Sequence, residues 1–395
     1  MKQLLFVIDS LGCAGAEKSL VTLLRLLDYK KYAVDLLLFA HGKELEVLVP
    51  DEVNILPPLK YTQFSNLSLN QAVFNAVRAN HYNLLLSRIN FSMSLRKQNY
   101  SNAEKARLFW QHASRVIEKS EKEYDVAISY AQGVPTFYVS EKVNAKRKLA
   151  WVNVSYRLDS IESKFQEQHY DQFDKIVAVS ESTKDIYLET FPKYKEKIKV
   201  VYDISNPELI NRMVELGNGF RDSYDGFRII TVARLANQKG YEIALDACKK
   251  MKEAGLHFKW YAIGDGPLRH RIEKLIKKND LTEHFILLGS KSNPYPYVKN
   301  ADLYVQTSKF EGFGLAIAEA RMLNIPVVTT NFDAVYSQMV DGKNGLVVEM
   351  NGDAVFAGVS KLYSNFRLRK QIANYQKTEK KGNLEEMQKI YQLIG

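Results

Sequence analysis

Short apolar runs recur along the chain, each followed by a longer segment in which apolar residues return at helical spacing. Residues 4–8, 34–40, 125–130, 149–154, 175–180 and 199–202 form a first series of predicted strands, and residues 227–233, 258–263, 284–288, 302–307, 326–330 and 345–348 form a second. Runs such as Leu36-Leu37-Leu38-Phe39 are apolar without alternation, the pattern of a strand covered on both faces in a parallel sheet. Strands alternating with helices predict a doubly wound α/β architecture, and two such series predict two similar domains. The seam falls at Asp203-Ile204-Ser205-Asn206-Pro207, where a strand gives way to polar, turn-forming residues and Pro207 restricts the backbone before it. Residues 61–120 carry few strand signals and read as helices of the first domain. At the other end, Leu384, Met387, Ile390, Tyr391 and Ile394 mark a final amphipathic helix.

Length agrees with this division, because 395 residues exceed the size at which a single core usually stops growing. Apolar residues make up 46%, which excludes a disordered chain. The net charge of +10 favours anionic partners, among them phosphorylated small molecules, acidic lipid and nucleic acid. The excess is uneven: residues 60–122 hold ten Lys or Arg against three Glu. The apolar run 4–8 is too short for a signal peptide, and no run approaches the ~20 residues that cross a bilayer. Cys13 and Cys248 supply neither a disulfide framework nor a metal cluster, so a reduced cytoplasm is expected.

Three loops carry candidate chemistry. In Phe310-Glu311-Gly312-Phe313-Gly314-Leu315 a predicted strand ends, a glycine turn follows and a helix begins. Amides from Gly312 to Leu315 then lie at a helix N-terminus, where unpaired N–H groups attract phosphate or sugar oxygens. Glu311 and Glu319 flank this turn as acceptors for hydroxyls. Arg234-Leu235-Ala236-Asn237-Gln238-Lys239-Gly240 follows the first strand of the second series, joining two cations to another helix start. Gly12-Cys13-Ala14-Gly15-Ala16-Glu17-Lys18 follows the first strand of the chain, its small residues suited to close approach of an anion. Its spacing is not the dinucleotide fingerprint. Each loop taken alone is equally a solvated turn with unrelated surface charges.

Taken together, and in this order, the motifs resemble the retaining nucleotide-sugar glycosyltransferases of family 4, which have the GT-B architecture. The resemblance covers essentially the whole chain and is strongest at Glu311 to Glu319, the family's E-x7-E element. Gly264-Asp265-Gly266-Pro267, Leu288-Gly289, Asp341-Gly342-Lys343-Asn344-Gly345 and Val179-Ser180-Glu181-Ser182 accompany it. The resemblance implies two facing Rossmann-like domains: an acceptor side at 1–203, a nucleotide-sugar side at 204–375, and a C-terminal segment 376–395 crossing back to the first domain. It implies that Arg234 and Lys239 bind the donor diphosphate and stabilise it as it leaves. Glu311 with Gly312, Phe313, Gly314 and Leu315 would contact the donor sugar, and Glu319 the ribose. The segment from Gly289 to Lys291 would line the base, and Gly15 would let the first loop close over the diphosphate or the acceptor.

The implied reaction moves a hexose or N-acetylhexosamine from a UDP-sugar to a glycan or lipid-linked glycan, with retained configuration and no enzymic nucleophile. No Asp-x-Asp occurs in the sequence, so neither metal nor cofactor is expected and the leaving charge falls to Arg, Lys and helix N-termini. One departure stands out. Relatives commonly place a histidine where this chain has Asn153, in Trp151-Val152-Asn153-Val154-Ser155-Tyr156. Asparagine keeps hydrogen-bonding capacity but no positive charge. Asn153 is therefore read as a catalytic-site residue, with His112 as a candidate substitute, and a non-catalytic nucleotide-sugar-binding partner subunit remains the alternative. The basic region 60–122 is expected to favour an anionic membrane surface at its inner face over nucleic acid, for which no binding module is present.

Overall fold

A computed structural model describes residues 1–12, 15–96, 100–154 and 158–395; Cys13, Ala14, residues 97–99, Ser155 and Tyr156 of the segments above lie outside them. Its contacts divide into two units, one of Met1–Gly12, Leu23–Val201 and Ile390–Gly395, the other of Cys13–Thr22 and Tyr202–Lys389.

The chain opens with β1 (Lys2–Ile8), α1 (Gly15–Leu26), β2 (Tyr32–Leu38) and β3 (Val53–Ile55). Four helices follow without an intervening strand: α2 (Lys60–Ser65), α3 (Leu69–Arg78), α4 (Tyr82–Leu95) and α5 (Asn102–Ala113). Alternation then resumes with β4 (Glu123–Ser129), α6 (Val134–Lys142), β5 (Asn144–Val152), α7 (Ser160–Tyr170), β6 (Lys175–Ala178), α8 (Glu181–Thr190) and β7 (Ile198–Val200). All seven strands pair in parallel, in the order β3-β2-β1-β4-β5-β6-β7.

The second unit begins with α9 (Pro207–Glu215), β8 (Phe227–Val232), α10 (Tyr241–Glu253), β9 (Phe258–Ile263), α11 (Arg269–Lys278) and β10 (Phe285–Gly289). It continues through α12 (Tyr295–Lys299), β11 (Leu303–Gln306), α13 (Leu315–Met322), β12 (Val327–Thr330), β13 (Leu346–Val348), α14 (Gly352–Ser364), α15 (Phe366–Thr378) and α16 (Glu386–Ile394). Its six strands are also parallel, in the order β10-β9-β8-β11-β12-β13.

Burial explains the unbroken apolar runs. Along β8 and β11, Ile229, Leu303 and Val305 enter one core cluster while Ile230 and Tyr304 enter the cluster on the opposite face. Both faces of the sheet are covered, so neither can be polar. In the first unit Trp110, Phe137, Tyr138 and Tyr170 build the core between the sheet and α5–α7.

All twelve predicted strands are present, with ends shifted by a residue or two except at β5, which starts five residues earlier than predicted. β3 was not among the predicted strands. At the seam residues 203–206 carry no regular structure, as expected; Pro207 then starts α9 and the Asn206 side chain caps it, accepting from the Glu208 and Leu209 amides. The final segment is not one helix. α15 ends at Thr378 and α16 starts at Glu386, and between them Gly382 adopts φ +74° where a Cβ would stand 2.7 Å from the Ser205 carbonyl oxygen. Beyond it, Tyr391 stacks on Tyr32 at 6.0 Å and donates to the Leu26 carbonyl.

Helix α7 turns Glu162, Gln166 and His169 inward. His169 lies against the rings of Phe137 and Phe165, with Nδ1 at 2.8 Å from Ser140 Oγ and 3.5 Å from Glu141 Oε1. Burial lowers its pKa to about 4 from 6.5, so the folded protein keeps the imidazole neutral where the unfolded chain protonates it. The resulting stability is present above pH 6.5 and is lost as pH falls toward 4. In urea unfolding, the stability difference between wild type and His169→Gln should therefore narrow by about 3 kcal/mol between about pH 7.5 and about pH 4. A constant difference would show that His169 is not held neutral.

Candidate functional site

The order of the second sheet reverses between β8 and β11, and ligands of doubly wound sheets bind where the loops leave the carboxyl ends of such a pair. Those two loops are residues 233–240 and 307–314. They are tied together: Thr307 Oγ1 donates to the Lys239 carbonyl at 3.0 Å, the Lys309 amide to the Gln238 carbonyl at 2.8 Å, and Gln238 Nε2 to the Phe310 carbonyl at 3.2 Å. Gly240, at φ +60°, permits this approach, since a Cβ there would lie 2.1 Å from the Thr307 carbonyl oxygen.

Each loop runs into a helix that starts on a left-handed glycine and has no side-chain cap, α10 on Gly240 and α13 on Gly314. In the same unit α9, α14 and α15 are capped by Asn206, Asn351 and Asn365. An uncapped start leaves its first N–H groups directed outward with a partial positive charge, an arrangement that favours an anion. Gln338 fixes the glycine turn by donating from Nε2 to the carbonyls of Phe313 and Gly314.

Charged side chains converge beside these helix starts. Glu311 is buried, and its Oε1 accepts from Lys239 Nζ at 2.6 Å, Gln306 Nε2 at 2.8 Å and Ser308 Oγ at 2.6 Å. Glu319, also buried, accepts from Lys18 Nζ at 3.0 Å and from the Tyr295 hydroxyl at 2.8 Å. Lys18 in addition lies 5.3 Å from the centre of the Tyr295 ring. Arg234 is exposed at the head of its loop, and its charge acts on Glu17, whose carboxyl burial pushes above the ordinary range.

Arg234, Lys239, Glu311, Gly312, Phe313, Gly314, Leu315 and Glu319 thus gather around one end of the second sheet. Phe313 packs on Tyr202 at 5.8 Å, and Leu315 is buried as the first residue of α13. Lys291 follows β10, two strands away from β8 on the same sheet. Gly15 opens α1, and a Cβ there would meet nothing within 4 Å among the described residues. Asn153 belongs to the first unit, just past β5. Its Nδ2 donates to the Tyr130 carbonyl at 2.6 Å, and its buried Oδ1 has no hydrogen-bond partner among the described residues. His112 is occupied with Ser94 Oγ at 2.9 Å, a contact between α4 and α5.

Other motifs serve the backbone. A Cβ on Gly264 would stand 2.1 Å from the Ala233 carbonyl oxygen, so this glycine lets the loop after β9 pass the loop after β8. Asn344 is fully buried and joins the Val340 amide, the Gln338 carbonyl and Glu379. Ser180 caps α8. Conversely, the sequence reading missed Lys18, Tyr295, Gln306, Ser308 and Gln338 as site residues. Lys18 stood inside a quoted motif, and Gln306 and Ser308 are polar residues at the end of an otherwise apolar strand.

Comparison with known proteins agrees with this geometry. Residues 222–379 match the family described as glycosyl transferases group 1. An uncharacterized glycosyltransferase of Methanocaldococcus jannaschii is 32% identical over 168 residues, an alignment spanning 41% of each chain. N-acetylgalactosamine-N,N'-diacetylbacillosaminyl-diphospho-undecaprenol 4-alpha-N-acetylgalactosaminyltransferase of Campylobacter jejuni is 25% identical over 387 residues, covering 96% of this chain and 95% of that one. Among solved structures, Anabaena HepE in complex with UDP-glucose superposes with a TM-score of 0.70 at 16% identity, over 100% of this chain and 99% of that one. Staphylococcus aureus TarM, crystallised with UDP, gives 0.68 at 14% identity and full coverage of both chains. The fold shared with these structures is GT-B, and within it residues 222–379 are similar to the group 1 glycosyl transferases.

Proposed function

We propose that the chain transfers a hexose or N-acetylhexosamine from a UDP-sugar to a glycan or lipid-linked glycan, with retained configuration and without a metal, in the assembly of a surface polysaccharide or glycoconjugate. The observation that carries this reading is the pair of glycine-started, uncapped helices with Arg234, Lys239 and Glu311 at the reversal point of the second sheet. Two relatives support the donor class: HepE was crystallised with UDP-glucose and TarM with UDP. The name of the Campylobacter enzyme supports a sugar acceptor carried on a lipid diphosphate.

In this reading a UDP-sugar diphosphate competes with Glu311 for Lys239. As the lysine turns toward phosphate, the Glu311 carboxylate is released to accept hydroxyls of the donor sugar. Glu319 receives the ribose hydroxyls in the same way. Charge that builds on the leaving diphosphate is met by Arg234, Lys239 and the amides that open α13, all fixed before the bond breaks. The acceptor hydroxyl attacks from the face the diphosphate leaves and passes its proton to the departing phosphate, so configuration is retained without a protein nucleophile.

A panel of nucleotide sugars in a thermal-shift assay is expected to single out UDP-sugars, with about 2.7 kcal/mol of stabilisation at a hundredfold excess over Kd. Shifts with none of the panel, or only with other bases, would reject the donor assignment. With the donor identified, Lys239→Ala or Arg234→Ala should lower turnover about a hundredfold, equivalent to about 3 kcal/mol, while the protein stays folded. Wild-type turnover in both variants would refute the diphosphate role. Chelators should leave turnover unchanged, and NMR of the product should show the donor's anomeric configuration. Loss of activity with chelator or an inverted product would contradict the mechanism.

A further inference from the structure

Strand β11 carries a line of polar side chains inside a sheet whose faces are otherwise packed with apolar ones. Alternate residues of a strand share a face. Leu303 and Val305 enter the core on one side of the sheet, while Tyr304 enters the core on the other. Continuing that second face by twos gives Gln306, the last residue of the strand, and then Ser308. Tyr304, Gln306 and Ser308 are all buried. An apolar side chain at 306 would pack there without losing hydration, so the amide is not explained by the core.

The hydrogen bonds of this line run in one direction and end in the candidate site. The Tyr304 hydroxyl donates to Gln306 Oε1 at 2.6 Å, with the Val232 carbonyl farther away at 3.3 Å. Gln306 Nε2 donates to Ser308 Oγ at 2.7 Å and to Glu311 Oε1 at 2.8 Å. Ser308 Oγ in turn donates to Glu311 Oε1 at 2.6 Å. Reversing the Gln306 amide would set its oxygen against a carboxylate oxygen, so the set fixes which way the amide points. Lys239 Nζ donates to that same Glu311 oxygen at 2.6 Å.

The donors on Glu311 therefore differ in what holds them. Lys239 comes from a loop and is assigned above to the diphosphate, whereas Gln306 and Ser308 belong to the end of β11 and the residues just past it. A buried carboxylate stripped of its ion-pair partner is costly unless other donors stay on it. Gln306 and Ser308 are placed to stay.

We infer that Gln306, oriented by Tyr304, is a positioning residue that holds the Glu311 carboxylate while Lys239 moves to a phosphate, and that it thereby sets how readily the site takes a nucleoside diphosphate. The inference rests on the diphosphate role proposed for Lys239.

The test is a double-mutant cycle on UDP binding, read by ligand-observed NMR so that millimolar affinities are measurable. Gln306→Leu is close in volume and should weaken UDP about tenfold. Tyr304→Phe, which removes only the hydroxyl, should weaken it about threefold. Lys239→Met abolishes the exchange, so adding Gln306→Leu to it should weaken UDP no further. A residue that only supports the fold would weaken UDP alike with and without the lysine. Equal weakening in both backgrounds, or none when Lys239 is present, would overturn the inference and leave the diphosphate role of Lys239 standing. Absence of UDP binding by the wild type, or wild-type affinity in Lys239→Met, would remove that role and the inference with it. If Gln306→Leu does not fold, Tyr304→Phe in the two backgrounds gives the same comparison.

Discussion

Two buried glutamates, each held by a lysine, form the interaction around which the candidate site is organised: Lys239 on Glu311 and Lys18 on Glu319. Eight positions separate the glutamates, so one begins the turn before α13 and the other lies within the helix. A buried ion pair adds little net stability, because desolvation of both ions offsets their attraction, whereas stripping one partner leaves a costly lone charge. Such a pair is well suited to exchange. A ligand that brings its own phosphate for the lysine and its own hydroxyls for the carboxylate satisfies both ions at once. The glycines at 240 and 314 serve the same end by letting backbone and helix starts come close.

Much of the fold was legible in the sequence because both sheets are covered on both faces. Ile229 and Ile230 point to opposite cores, and a strand that must be apolar on either side cannot be mistaken for a polar loop. At the site, the glycines, the two glutamates and the two loop cations were legible because their spacing along the chain is short. The pairings were not. Lys239 meets Glu311 across 72 positions and Lys18 meets Glu319 across 301, distances over which no local pattern carries information. The segments 264–267 and 341–345, which accompany the E-x7-E element in the resemblance, pack closely in the fold. Their glycines and Asn344 satisfy backbone that passes near other backbone.

The region 60–122 shows a different limit. Its positive charge was plain from composition, but periodicity reveals a stripe without revealing which side of the helix it faces. Tyr82, Leu86, Ile89 and Met93 have the spacing of a core stripe and lie outside, while Ser87 and Ser94 lie inside. Only packing against α5, where Ser87 donates to the His112 carbonyl and Ser94 meets the His112 ring, settles the orientation.

The account as a whole requires Lys239 to leave Glu311 for a diphosphate, and a crystal of the protein with UDP observes that step directly. The predicted result is a diphosphate contacting Lys239, Arg234 and the amides at the start of α13, with the ribose hydroxyls on Glu319. A UDP bound away from those groups, or one bound there with Lys239 still on Glu311, would contradict it.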